Sequence, residues 1–218
     1  MLSYMMQKLF YRSPSVEMDI EQEQYFENLL NHMRLYPHKP ITATLRYPKH
    51  HFLHYLSHQL DVVFHGSNHI DIERFEPREQ TLYNGQWTKS VFATTDPIWP
   101  MFYAVLDRAK VQGSFRNGCL VHKKKRYHFY SLNPSTMRSS PWTCGMLYIL
   151  PKASFTMAGK GKLRFDEWVS SVPVKPIGRI QIHPEDFFFI DKISTHEDHE
   201  SLAKTWLCYK KRTAGRSK

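Results

Sequence analysis

The side chains that could do chemistry lie in short, scattered clusters. His196-Glu197-Asp198-His199 offers imidazole and carboxylate groups in one run, and His65 and His69 are four residues apart. A metal needs ligands that converge. The first run reads as a solvated loop or helix start, and a turn between His65 and His69 denies that pair a shared helical face, so no metal site is predicted. Cys119, Cys144 and Cys208 are far apart, odd in number and without a CxxC pair. They support neither a disulfide framework nor a zinc knuckle. No GxGxxG, Walker loop, GxSxG elbow or HExxH occurs. Three spaced segments remain: His65-Gly66-Ser67, Phe92-Ala93-Thr94-Thr95-Asp96 with Tyr103 beyond it, and Glu167-Trp168-Val169-Ser170.

The elements that must position them follow from pattern. Asp19 to Leu35 reads as a helix: Asp19 can cap it, and Ile20, Phe26, Leu29, Leu30 and Met33 form a stripe. Pro48 to Gln59 reads as a second helix. Asp61-Val62-Val63-Phe64 is a β-branched run ending in the turn at His65-Gly66-Ser67. Val91 to Thr94 is a second strand, and Thr95-Asp96-Pro97 opens a helix carrying Met101, Phe102, Val105 and Leu106. Strands follow at Tyr127–Tyr130, Met146–Leu150, Trp168–Val172, Ile180–Ile182 and Phe187–Ile190. Residues 1–18 show no clear period and are expected to be peripheral. Helices first and strands later predict an α+β domain rather than a doubly wound sheet.

Taken together, the three segments resemble the ADP-ribosyltransferase superfamily, in the branch shared by diphtheria toxin and the poly-ADP-ribose polymerases. That branch carries a His-Tyr-Glu triad in this chain order. Phe92 and Tyr103 are 11 residues apart, as the family's strand and helix aromatics are, and Glu167-Trp168 resembles its strand-opening glutamate. The resemblance covers roughly residues 60–192. It implies a split β-sheet core, with residues 1–59 as an N-terminal helical extension and 193–218 as a basic C-terminal segment. It also implies NAD as a substrate and no metal. His65, Tyr103 and Glu167 would be the catalytic set. His65 would hydrogen-bond the adenosine ribose, Gly66 would let the backbone approach the nicotinamide amide, and Ser67 would add a ribose hydrogen bond. Phe92 and Tyr103 would sandwich the nicotinamide ring. Glu167 would stabilise positive charge developing on the ribose. Phe92 departs from the tyrosine common in the family. Phe165, two residues before the glutamate, departs from the Glu or Gln of arginine-modifying members and argues against an arginine acceptor. Asp166 reads as a solvated neighbour of Glu167.

The chain has 218 residues, 41% of them hydrophobic, and a formal net charge of +10. No stretch approaches the roughly 18 apolar residues of a membrane span, and the first residues lack the apolar run of a secretion signal. The expectation is a soluble, cytoplasmic protein with no membrane partner. Positive charge concentrates at Lys123, Lys124, Lys125 and Arg126, in the tail Lys210, Lys211, Arg212, Arg216 and Lys218, and at Lys160, Lys162 and Arg164. Such surfaces attract phosphate. Lys160, Lys162 and Arg164 lie between Ser154 and Phe165, where the family keeps a target-recognition loop. The charge favours a nucleic-acid acceptor, DNA or RNA, over protein. A lone enzyme of this type suggests a toxin of a toxin–antitoxin or phage-defence system, with an inhibitory antitoxin partner. Two other readings stay open. One is a catalytically silent relative that binds nucleic acid through its basic run and tail. The other is an NAD-dependent RNA 2′-phosphotransferase, against which the strand-opening glutamate counts.

Overall fold

The first residues are structural rather than peripheral. Helix α1 (Leu2–Leu9) buries Met6, Phe10 is 1% exposed, and β1 (Tyr11–Arg12) joins a sheet. Eight residues are too few for their apolar period to stand out in sequence. Asp19 then caps α2 (Ile20–Leu35), its carboxylate accepting the Gln22 N–H at 2.8 Å. Phe26, Leu30 and Met33 form the expected stripe, but Ile20 sits in the first turn facing solvent, 75% exposed. Pro48 leads into α3 (Lys49–Gln59), which buries Phe52, Leu53 and Leu56. The structure, a computed structural model, describes residues 2–82 and 85–214. Arg216 and Lys218 of the basic tail therefore lie outside the described residues.

The remaining elements form antiparallel sheets around a short central helix. In chain order they are β2 (Val62–Ser67), β3 (Arg78–Thr81), β4 (Trp87–Ala93), α4 (Trp99–Val105), β5 (Phe115–His122), β6 (Lys125–Leu132) and α5 (Pro134–Arg138). Then come β7 (Gly145–Pro151), β8 (Thr156–Met157), β9 (Leu163–Phe165), β10 (Trp168–Ser170), β11 (Gly178–Ile182), β12 (Ser194–Thr195) and α6 (Leu202–Ala214). One sheet runs β11-β7-β2 and a second β3-β4-β10-β8. The third runs β1-β6-β5-β9, with β12 added to β6 in parallel. The chain is thus mixed α/β with antiparallel sheets, compatible with the α+β class. Among the described residues, no helix is long and apolar enough to cross a membrane.

Two segments differ from expectation. Phe187–Ile190 is not a strand: Asp186 accepts the His183 N–H at 2.8 Å, and short 3-10 turns follow Pro184. Those turns bury Phe187 and Phe189 and expose Phe188. Strand β5 has no strong sequence signal because Arg116, Asn117 and Gly118 interrupt it. Gly118 is required there, since a Cβ would overlap the Phe165 ring and sit 2.8 Å from the Phe129 ring.

Phe26, Leu30, Phe52 and Leu56 of the helices share one core with Phe64 of β2, Phe102 of α4, Ile149 of β7 and Ile180 of β11. The chain ends close a smaller core. Phe10 stands edge-on to Trp206 at 5.5 Å and 89°, and the Tyr11 hydroxyl lies 2.8 Å from Thr213 Oγ1. The basic tail is correspondingly less free than its composition suggests. Lys210 donates to the Gln7 carbonyl at 2.7 Å, and Arg212 donates to Glu200 at 2.8 and 2.7 Å.

Glu200 also accepts from Thr205 at 2.9 Å and is buried. The Arg212 bonds, with help from Thr205, hold its carboxyl at about 2, below the ordinary 4.5. Because the folded value is depressed, the stabilisation is complete above the ordinary value and is lost as pH falls through the folded one. Between pH 4.5 and about 2, α6 is expected to loosen, read as a loss of helical circular dichroism and a change in the Trp206 indole resonance. Glu200→Gln should remove this step; a step unchanged in the variant would assign it to Asp198, which Ser114 also holds at about 2.

Candidate functional site

Strands β2 and β4 meet at a bridge and then part. The Phe64 N–H donates to the Thr94 carbonyl at 2.7 Å, and the Thr94 N–H to the Phe64 carbonyl at 3.0 Å. Backbone groups along an antiparallel strand face its two neighbours alternately. Phe64 faces β4, so His65 faces β7 and Gly66 turns its N–H and C=O back toward β4. The bridge register would set Gly66 opposite Phe92, but the pairing ends at Phe64 and Thr94. The Gly66 backbone groups therefore front an opening between the strands.

Four predicted residues border that opening. Gly66 packs directly on α4: an added Cβ would overlap the Pro100 carbonyl and lie 3.0 Å from the Ala104 nitrogen. The same helix carries Tyr103, half-buried against Phe102 and Phe115. On β10, Val169 is paired with Phe92. Side chains alternate along a strand, so Glu167, two residues earlier, shares the Phe92 face. The Tyr103 hydroxyl is hydrogen-bonded to Asn117 and pushed up, first by burial and further by the nearby Glu167 carboxylate. Glu167 and the Tyr103 hydroxyl thus lie close to one another, and Gly66 packs on the helix that carries Tyr103.

His65 enters differently. Its ring packs on Phe75 at 4.7 Å, and Nδ1 donates to the Phe92 carbonyl at 2.6 Å. Burial lowers its pKa, so the imidazole is neutral at pH 7 and ties the two parted strands together. Ser67 is partly committed, because its hydroxyl accepts the His69 N–H at 3.1 Å. Asn117 was not foreseen. It joins Tyr103 to the Trp99 indole, whose Nε1 donates to Asn117 Oδ1 at 2.6 Å; a lone asparagine in an interrupted strand leaves no signal.

Asp166 is not a solvated neighbour. It is 4% exposed and accepts from Thr94 at 3.1 Å, Thr95 at 2.7 Å and the Trp168 indole at 3.1 Å. Arg126 is correspondingly not a free surface cation: its Nε lies 3.5 Å from both Asp96 and Asp166. Burial alone would lower the Arg126 pKa, but the two carboxylates raise it on balance. Asp96 also caps the turn into α4, accepting from Ile98 at 2.9 Å and Trp99 at 2.6 Å. This network fixes the residue before Glu167 to the end of β4.

Asp96, Cys119 and His128 bring potential ligand atoms within 4.8 Å of one another, all buried. Burial raises the Cys119 thiol well above its ordinary value, which opposes the thiolate a metal requires. Arg126 already supplies the counter-charge, so the set reads as an ion-pair network. His196 and Asp198 are taken up by β5 and β6. His196 reaches Ser114 at 2.9 Å and Ser131 at 2.8 Å, and Asp198 accepts from Ser114 and Asn133.

The expected recognition loop is shorter than predicted, since β8 and β9 occupy much of it. Lys160 and Lys162 are exposed, whereas Arg164 is half-buried on β9. Lys123 and Lys124 form the exposed β5–β6 turn. Two concave pockets lie outside the opening: one of 160 Å³ between α3, the exit of β1 and that turn, and one of 430 Å³ between the start of α3 and Phe187–Phe188. Comparison of the chain with protein-family models, curated proteins and solved structures finds no match.

Proposed function

We propose that the chain is an NAD-dependent mono-ADP-ribosyltransferase acting on a macromolecular acceptor. One observation supports this reading: β2 and β4 pair only at Phe64 and Thr94, Gly66 packs on the helix that carries Tyr103, and Glu167, on the strand paired with Phe92, lies near the Tyr103 hydroxyl. The groups suit NAD chemically. The Gly66 N–H and C=O are one donor and one acceptor, the complement of a carboxamide. Phe92 and Tyr103 offer faces for a flat cationic ring. Breaking the nicotinamide–ribose bond builds positive charge on the ribose, which the Glu167 carboxylate would oppose. His65 ties the two strands through its Nδ1, and its second ring nitrogen would be the one to meet a ribose hydroxyl. A net charge of +10 favours nucleic acid over protein as acceptor. Phe165 packs near Phe129 at 6.4 Å and offers no carboxylate to orient a guanidinium.

The reading is tested by incubating the protein with labelled NAD and separate pools of DNA, RNA and protein, following nicotinamide release and label transfer. Tyr103→Ala is expected to weaken NAD binding about tenfold, the size of one stacking and cation–π contact. Tyr103→Phe should keep most of the affinity. An NAD dissociation constant unchanged in the alanine variant, with its melting temperature preserved, would sink the stacking role. Nucleic-acid binding without any NAD turnover would favour the catalytically silent relative.

A further inference from the structure

The 160 Å³ pocket gathers several basic side chains. Arg12, Ser13, His50, His54, Lys124 and Lys125 line it, with Arg126 and Asp96 at its floor. One water needs roughly 10–15 Å³ of such space, so the pocket has room for a phosphate group and its water. Asp96 Oδ2 lies 3.5 Å from Arg126 Nε, which offsets its charge, although among the described residues it has no hydrogen-bond partner. Arg12, Lys124 and Lys125 are exposed, and among the described residues none of them enters an ion pair. Three unanswered cations therefore converge on one concavity.

Two further features point the same way. Lys123 and Lys124 hold φ of 48° and 63°. Tight hairpin turns with positive φ normally use Asn or Gly, and an ordinary side chain there costs about 1–2 kcal/mol. The turn thus sets lysine side chains at the pocket mouth against local preference. His54 Nδ1 is buried and, among the described residues, has no hydrogen-bond partner. In the tautomer protonated at Nδ1, this buried ring nitrogen offers a donor to whatever enters the cavity.

We propose that this pocket binds a phosphate group, delivered either by a nucleic-acid phosphodiester or by a small phosphorylated molecule. It is distinct from the opening at Glu167 and does not depend on NAD being a substrate. Arg126, at the floor, contacts Asp166 at 3.5 Å, and Asp166 precedes Glu167. A strand held here would lie on the other side of that ion pair from the proposed reaction centre.

The test uses the full chain and the triple variant Arg12→Ala, Lys124→Ala, Lys125→Ala. Inorganic phosphate is titrated by calorimetry, with the His50 and His54 ring resonances followed by NMR. Short single-stranded RNA and DNA are titrated by fluorescence anisotropy at several salt concentrations. The native protein is expected to bind phosphate and shift both rings, and the variant to bind at least tenfold more weakly with an unchanged melting temperature. Oligonucleotide affinity falling in parallel, with the salt slope reduced by about 2, would identify a nucleic-acid backbone. Phosphate loss with oligonucleotide binding intact would assign the pocket to a small phosphorylated ligand. Phosphate binding that is undetectable in the native protein, or equal in the variant, overturns the proposal.

Discussion

Glu167→Gln is expected to lower NAD consumption by two to three orders of magnitude while leaving the fold and the NAD dissociation constant nearly unchanged. The substitution keeps size and hydrogen-bonding capacity and removes only the charge. A carboxylate that opposes developing positive charge acts more strongly in the transition state than in the bound substrate, so its loss falls on kcat rather than on binding. Removing one such preorganised group costs roughly 10²–10³ in rate. Glu167→Gln keeps the side chain's size and hydrogen-bonding capacity, and its neighbour holds the strand in place. Asp166 carries the bonds to Thr94, Thr95 and Trp168 and the contact with Arg126, whereas Glu167 lies half-buried on the opposite face of the strand. An internal readout checks the geometry separately from turnover. Glu167 helps to raise the Tyr103 hydroxyl, so the tyrosine should titrate at lower pH in the variant, though burial keeps it above an exposed tyrosine. Wild-type turnover in Glu167→Gln would refute the catalytic role, and an unmoved Tyr103 titration would refute the placement.

The candidate site is legible in sequence where its residues obey local rules. Val62 to Phe64 is apolar and largely β-branched, so the strand is predictable, but His65-Gly66-Ser67 is not the turn expected: β2 continues through all three because they pair with Tyr148, Leu147 and Met146 of β7. Phe92 and Tyr103 lie on the strand and helix expected, because Asp96 caps the turn between them as its residue type suggests. What sequence hides is pairing between distant residues. Arg126 meets Asp96 and Asp166 across separations of 30 and 40 residues, and no periodicity marks it. Phe10 meets Trp206 almost a full chain length away, so a helix that is unconvincing alone becomes stable once its partner arrives. Phe187–Ile190 errs the other way. Its apolar run satisfies a strand template, but the turn chemistry of Pro184 and Asp186 wins. The basic clusters also divide by distant contacts: Arg126 and Arg212 are committed to buried carboxylates, while Lys124 and Lys125 are not.

Gly66→Ala is expected to destabilise the protein by at least about 3 kcal/mol, the upper range for forcing an extra carbon into a packed core. For a chain of this size that is roughly a 6–12 °C fall in melting temperature. The resemblance alone would explain Gly66 by close approach to a ligand. The structure adds a stronger constraint: the site of the missing Cβ is filled by the Pro100 carbonyl, with Ala104 nitrogen at 3.0 Å. These are backbone atoms of α4, and they cannot rotate away. The helix is itself pinned by Met101, Phe102 and Val105, which are fully buried. Gly145 presses on the same helix, where a Cβ would overlap the Ala104 carbonyl. Relief therefore requires moving α4 and with it Tyr103, so stability and NAD affinity should fall together. Gly85→Ala is the control. Its φ of 82° carries a local cost, but among the described residues, its chain neighbours aside, no atom lies within 4 Å of the added carbon, so only about 1 kcal/mol is expected. Were Gly66 needed only for ligand approach, its alanine variant would melt like the native protein and lose NAD binding alone. Thermal melts and NAD titrations of the two variants separate these outcomes, because only the helix contact ties the two losses together.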